Sequence, residues 1–228
     1  MAMHTLFVIC EARDVALDEK SIAPIAGAVS RLPRLASARL MTPDRTAADQ
    51  PFAKDGAGPA LALQLYFNDA ADIDAGAVAA LDQHLVAAGF SSDAIARQLM
   101  IARDFPVGAG APTDPCLTFF VTYPGTTDDL EAWLDHYDAH HPPIMKRFPR
   151  IREVETCRPV ADDLALPWRR ATAMQRNKVV FDSLADLLGA LASPVMKDMF
   201  ADGQKFPPFN GKATHHPMTT RLVRPAGA

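Results

Sequence analysis

The chain has 228 residues, 49% of them hydrophobic and 22% charged, with a formal net charge of −4. That length and balance can bury a full core and exclude a disordered chain. The mild charge and the lack of a Lys/Arg run argue against a nucleic-acid partner. Cys10, Cys116 and Cys157 are odd in number and show no CxxC spacing, the pattern of a reduced, cytoplasmic protein. The opening apolar run TLFVIC is too short for a signal-peptide core or a membrane span, so no membrane association is expected.

In the first half, His4–Glu11 reads as a strand. Ser21–Leu32 reads as a helix with Ile22, Ile25, Val29 and Leu32 on one side. Leu35–Met41 is a second strand, Ala47–Pro59 a loop rich in Gly, Pro and Asp, and Ala60–Phe67 a third strand. Asp74–Ala88 is a helix with Val78, Leu81 and Leu85 inward, and Ala96–Phe105 a last strand. Val107–Pro115 reads as a linker.

The second half repeats that order. Cys116–Tyr123 is a strand, a histidine-bearing helix follows, and Arg152–Arg158 is a strand. Asp162–Arg170 is a loop carrying Trp168. Asn177–Phe181 is a strand, Leu184, Leu187, Leu188 and Leu191 line a helix, and Thr219–Val223 closes the unit. Residues repeat too. Arg31-Leu-Pro-Arg-Leu35 recurs as Arg147-Phe-Pro-Arg-Ile151 at an offset of 116. Phe67–Asp72 recurs as Phe181–Asp186 at 114, and Thr5–Val8 aligns with Thr118–Val121 at 113. The expected class is therefore α+β. It comprises two tandem ferredoxin-like βαββαβ units, residues 1–106 and 116–228, joined by the linker at 107–115. Each unit leaves one sheet face uncovered by its own helices, so the two sheets should pack against each other within the chain.

The most informative stretch is 128–154. Thr126 and Asp129 have capping-box spacing, and Leu130, Trp133, Leu134 and Tyr137 form the stripe of an amphipathic helix. At about 100° per residue, His141 falls about 20° from Leu130, on the buried face beneath Tyr137. His136 and His140 fall on the outer face and its flank. Pro142 and Pro143 lack the N–H groups that would bond to Asp138 and Ala139, which predicts a break beside His141. His141 is then either a satisfied core histidine or a ring aimed into a cavity. In the first copy the matching position is Ile25, so the second copy reads as the site-bearing one and the first as structural.

Tyr137-Asp-Ala-His-His141-Pro-Pro143-Ile, followed by Phe148-Pro-Arg-Ile151, resembles the pattern of the EthD-like family of dimeric α+β barrel proteins. Val180-Phe-Asp-Ser-Leu184, Ala192-Ser-Pro194, Phe200-Ala-Asp202 and Phe206 are similar to the second half of that pattern. The chain departs from it at Arg150, where the family has Gly, and by the extra His140. The resemblance implies a tandem, intrachain version of the barrel with a cleft between sheet and helices holding a small, mostly apolar substrate. The family's relatives include an ether-degradation auxiliary protein, dehydratase-like and cyclase-like enzymes, muconolactone isomerases and cofactor-free oxygenases. By position, His141 is the family's histidine. Asp202 also matches, although FADGQKF reads more readily as a helix-ending turn at Gly203.

A histidine facing an apolar cleft can take and return a proton near neutral pH. The expected function is a cofactor-independent lyase, dehydratase or isomerase acting on a small aromatic or apolar compound. His141 would be its general acid/base, and Tyr137 would be the donor to a developing oxyanion or else a plain core tyrosine. Trp133, His140, Phe181, Met196 and Phe206 are the expected substrate contacts. The alternatives are a non-catalytic small-ligand-binding or accessory protein, and a cofactor-free oxygenase. His136 with His140, or His215 with His216, are the residues a metal would use, but the spacing supports no site and no metal or cofactor is expected. No phosphate-binding Gly-rich loop, GxSxG or dinucleotide fingerprint is present. A homodimer is a possible further assembly.

Overall fold

The computed structural model describes residues 3–12, 15–44, 46, 53–56 and 58–227. Its elements run β1 (Met3–Cys10), α1 (Glu19–Ser30), β2 (Ser37–Pro43), β3 (Leu61–Phe67), α2 (Ala75–Ala79), α3 (Asp82–Ala87) and β4 (Ile95–Asp104). Then follow β5 (Cys116–Tyr123), α4 (Leu130–Met145), β6 (Glu153–Pro159), β7 (Arg169–Arg170), β8 (Gln175–Phe181), α5 (Leu184–Leu191), α6 (Val195–Gly203) and β9 (Thr214–Val223). The strand expectations hold within a few residues, except that β9 starts five residues earlier. The expected helix at 74–88 is two short helices, α2 and α3. The expected loop at 47–59 lies partly outside the described residues, and a short 3-10 turn occupies Ala53–Asp55 within it.

Each half forms a four-stranded antiparallel sheet, β2-β3-β1-β4 in the first and β9-β5-β8-β6 in the second. The sheets face one another, as expected, and their outer strands also join. β2 pairs antiparallel with β9, and β4 with β6, closing an eight-stranded barrel inside one chain. The helices pack on its outside.

Both faces of β1, β3, β5 and β8 are almost wholly buried, and alternation along each strand divides them. In β1, Leu6, Val8 and Cys10 face the first helical layer, while Phe7 and Ile9 face the barrel interior. The space between sheets is not simply apolar. Arg39 binds Glu153 (2.6 Å), Gln64 donates to Glu155 (2.7 Å), Tyr66 donates to Glu155 (3.0 Å) and Lys178 donates to Tyr66 (2.7 Å). These contacts join residues of the first half to residues of the second. A buried polar network of this kind is stable only when its members are satisfied by one another.

The halves differ in their outer layers. In the first, Ile22, Ile25, Val29, Leu85 and Phe90 pack with β-sheet leucines into a continuous core. The loop before β7 straps that core from the second half. Trp168 is buried in it and donates Nε1–H to Asp82 (2.8 Å), while Arg97 binds Asp162 and the Leu164 carbonyl. The second half keeps a cavity at the corresponding place.

The repeat extends to backbone conformation. Arg34 (φ 54°) and Arg150 (φ 61°) are the two non-glycine residues with left-handed backbone among those described, and they lie at equivalent positions after α1 and α4. Each reaches the equivalent carboxylate, Arg34 to Asp72 (3.7 Å) and Arg150 to Asp186 (3.2 Å). The position where the resembling family has Gly thus takes the conformation that favours Gly, and arginine adopts it in both copies.

Candidate active site

Helix α4 starts at Asp129, whose carboxylate accepts from Ala132 N–H (3.0 Å). Thr126 does not cap it. Its backbone bridges to Asn210 (N–H to O, 3.2 Å, and the reverse, 2.7 Å). The helix also does not break at His141. It runs through Pro142 and Pro143 to Met145, and Lys146 N–H bonds back to the Pro142 carbonyl (3.0 Å). Proline's fixed φ is itself helical, and with the prolines in the last turn the helix forgoes only the two bonds they cannot donate. The buried face carries Trp133, Leu134, Tyr137, His141 and Met145, as the spacing predicts.

Between this face, α5, α6 and the outer surface of β5 and β8 lies a cavity of about 690 Å³. Its walls are mostly apolar: Phe119, Val121, Val179 and Phe181 from the sheet, Leu187 and Met196 from the helices. Such a volume and lining suit a small, largely apolar molecule.

His141 is the polar focus. Its Nδ1 lies 2.7 Å from Asp202 Oδ2, and both side chains are only 9% exposed. The Asp202 carboxylate accepts the Nδ1–H, which leaves Nε2 as the basic nitrogen of a ring lining the cavity. Burial pushes the imidazole pKa below its ordinary value, and Asp202 only partly offsets this by favouring the charged form. The ring is therefore neutral at pH 7 and able to accept a proton. Tyr137 packs on it at 4.8 Å between centroids and Phe206 at 4.9 Å.

Behind His141, Asn177 Nδ2 donates to the Tyr137 hydroxyl (2.8 Å). Tyr137 exposes no surface. Burial, then the neighbouring Tyr123, holds its phenol pKa well above the ordinary value, so it stays a neutral donor. Asn177 Oδ1 has no partner among the described residues. At the mouth, His215 Nδ1 contacts Asp55 (3.0 Å), which also binds Lys212 (2.9 Å), and the His215 ring stacks on Phe119.

Of the residues expected from the sequence, His141, Tyr137, Phe181, Met196 and Phe206 come together at the cavity. Trp133 and His140 do not. Trp133 stacks behind Tyr137 (5.4 Å), and His140 points out of α4, stacked on His136 with its Nδ1 against the His136 carbonyl (2.8 Å). Helix α6 was not foreseen, nor was Asp202 as the histidine's partner. The apolar spacing of Val195, Met196, Met199 and Phe200 behind Pro194 was the available signal. His215 and His216 lie on opposite faces of β9, so they cannot share one metal ion. Among the described residues no group of three or more His, Cys, Asp or Glu side chains converges on a metal-sized point.

No family model and no curated protein matches the sequence. Solved structures do match the fold. A proposed monooxygenase of Fusobacterium nucleatum superposes with a TM-score of 0.60 at 8% identity, over 100% of this chain and 96% of that one. An anthrone oxidase-like protein gives 0.62 at 13% identity, again over 100% and 96%. A proposed monooxygenase of Lactobacillus acidophilus gives 0.55 at 7% identity, over 98% and 96%. The fold is that of the dimeric α+β barrels. At these identities the likeness carries the fold and its tandem arrangement, and it leaves the chemistry to the residues of this chain. Among the described residues no helix is long and apolar enough to cross a membrane.

Proposed function

We propose that this tandem barrel is a cofactor-independent enzyme that transfers a proton through His141 on a small aromatic or similarly apolar compound. The observation that carries this reading is the buried His141–Asp202 pair at the wall of an apolar cavity. A protein that only binds has no need of an oriented, neutral imidazole. In this reading Nε2 removes a proton next to a substrate carbonyl and Asp202 stabilises the imidazolium that forms, while Tyr137, which exposes no surface, acts by packing against the imidazole and not by reaching the substrate. Return of the proton elsewhere gives isomerisation, and loss of a leaving group gives a lyase or dehydratase reaction. Phe181, Met196 and Phe206 contact the substrate. The unit at 116–228 carries the site, and the unit at 1–106, joined through 107–115, supports it.

The likeness to proteins described as monooxygenases and anthrone oxidase-like favours a second reading. The same carbanion, once formed by His141, would react with dioxygen as co-substrate. The two readings share the base and part at the next step. The test is a panel of anthrone-type and hydroxyaryl ketones followed by absorbance, aerobically and anaerobically, with the wild type and His141→Gln. Turnover that needs His141 in both atmospheres supports the lyase or isomerase reading, and turnover that also consumes oxygen supports the second. Turnover equal in His141→Gln and wild type would remove His141 from both.

A further inference from the structure

Four cationic side chains are buried in the described structure, and three of them have carboxylate partners. Arg39 binds Glu153, Arg97 binds Asp162, and Lys178 lies 3.4 Å from Glu155. Arg176 has none. Its Nη1 donates to the Thr122 hydroxyl (2.8 Å), its plane lies over Phe7 and Phe120, and its Nε–H has no partner among the described residues. Burial without a counter-ion lowers its pKa to about 10, against the direction seen at Arg39. A buried charge left uncompensated costs stability, and a sequence that keeps one gains something else by it.

Arg176 lines a cavity of about 500 Å³ at one end of the barrel, on the opposite face of the sheet from His141. The two carboxylates in that lining are already matched, Glu11 by Arg169 and Asp55 by Lys212 and His215. His216, also buried in this wall, has an Nδ1 without a partner. Gly58 backs onto its ring so closely that a Cβ there would stand 2.7 Å from it. Ile9, Pro59, Phe120 and Pro124 supply apolar surface beside these groups.

We propose that this barrel end is a second ligand site, which binds a small organic carboxylate through Arg176. Arg176 is the buried guanidinium of this lining without a carboxylate partner among the described residues, with Arg170 exposed at its edge, and a planar guanidinium suits a planar carboxylate. A phosphate dianion would bring a second charge that nothing buried there offsets. The apolar wall takes the ligand's hydrocarbon part.

The experiment uses benzoate as probe, with benzamide and inorganic phosphate as controls, in calorimetric titrations and thermal melts of the full chain. Benzoate should bind saturably and raise Tm, and both controls should bind at least tenfold more weakly. Arg176→Met should weaken benzoate at least tenfold and, by removing an unpaired buried charge, raise the Tm of the ligand-free protein. Arg176→Lys keeps the charge and loses the planar fork, so it should fold and bind benzoate several-fold more weakly. Benzoate affinity unchanged in either variant would place its binding elsewhere, the His141 cavity included, and overturn the proposal. So would no binding by the wild type at millimolar benzoate, or phosphate binding as tightly as benzoate.

Discussion

His141 Nδ1 stands 2.7 Å from Asp202 Oδ2, although 61 residues separate them and they come from helices on different sides of the β6–β8 segment. The contact fixes which imidazole nitrogen carries the proton and holds the ring against the cavity. His141→Gln is expected to lower turnover by roughly 10²–10⁴ with the circular dichroism spectrum unchanged. His136→Ala, on the outer side of α4, should leave turnover near wild type. Asp202→Asn removes the interactions that favour the imidazolium, so the acid limb of the rate profile should move to lower pH as turnover falls. A limb that stays in place in Asp202→Asn would show that His141 is not the titrating base.

Acid stability follows from the same burial. His141 and His216 both have folded pKa values below the ordinary 6.5, with burial the leading cause. The unfolded chain therefore takes up these protons first, and stability falls as pH drops from about 6.5 through the two folded values. Carboxylates held below their ordinary range, Glu153 and Asp55 among them, add a separate loss at lower pH. Urea titrations from pH 7.5 to 4.5 should show the first loss, and His141→Gln combined with His216→Gln should flatten it.

Arg34 and Arg150 hold left-handed backbone at a cost of about 1–2 kcal/mol each. Glycine removes that cost but gives back part of it, about 0.4–1 kcal/mol, through a freer unfolded chain. The ion pair lost at Arg150, whose side chain is 78% exposed, contributes little. Arg150→Gly should therefore stabilise the protein by about 0.5–1 kcal/mol, read as a rise in Tm of a few degrees. A fall in Tm would mean that the arginine side chain contributes more than its exposure suggests.

The legible part of this architecture was the part written in period and repeat. Strand runs, the stripe of α4 and the twofold recurrence of Arg-x-Pro-Arg led to two ferredoxin-like units packed sheet to sheet. The barrel's interior was not legible. Both faces of β6 and β8 are largely buried, so alternation separates two sets of residues without saying which enters the barrel, and nothing local marks Glu153, Glu155 and Lys178 as its buried partners. The partnership of Asp202 with His141 is not legible because a short helix ending in Asp-Gly has an ordinary local explanation, and only the packing of α6 on α4 brings the two together. The double proline misled for a local reason as well, since its penalty falls where the helix was about to end.

The second half alone should not behave as a folded monomer. Without the first half, β9 loses its partner β2 and β6 loses β4, and Lys178 and Glu155 lose their contacts with Tyr66 and Gln64. Expression of residues 116–228 should give a self-associating or poorly folded product by sedimentation and circular dichroism. A soluble, well-folded monomer would show that the sheet face does not need its intrachain partner.

Among the described residues no three His, Cys, Asp or Glu side chains converge as a donor set for a metal. Activity is therefore expected to survive exhaustive chelation. Stoichiometric zinc, iron or manganese in the purified protein, with turnover lost on its removal and restored on its return, would contradict that expectation.

Strand β8 serves three compartments with three successive residues. Arg176 faces one end of the barrel, Asn177 the His141 cavity, and Lys178 the polar network towards the other end. It is hydrogen-bonded on both sides, to β5 and to β6. Inserting or deleting one residue there would not merely loosen the strand. It would turn a guanidinium or an ammonium towards the imidazole and an amide into the barrel, altering all three compartments together. A one-residue change of length should therefore cost far more in β8 than in a connection such as 107–115.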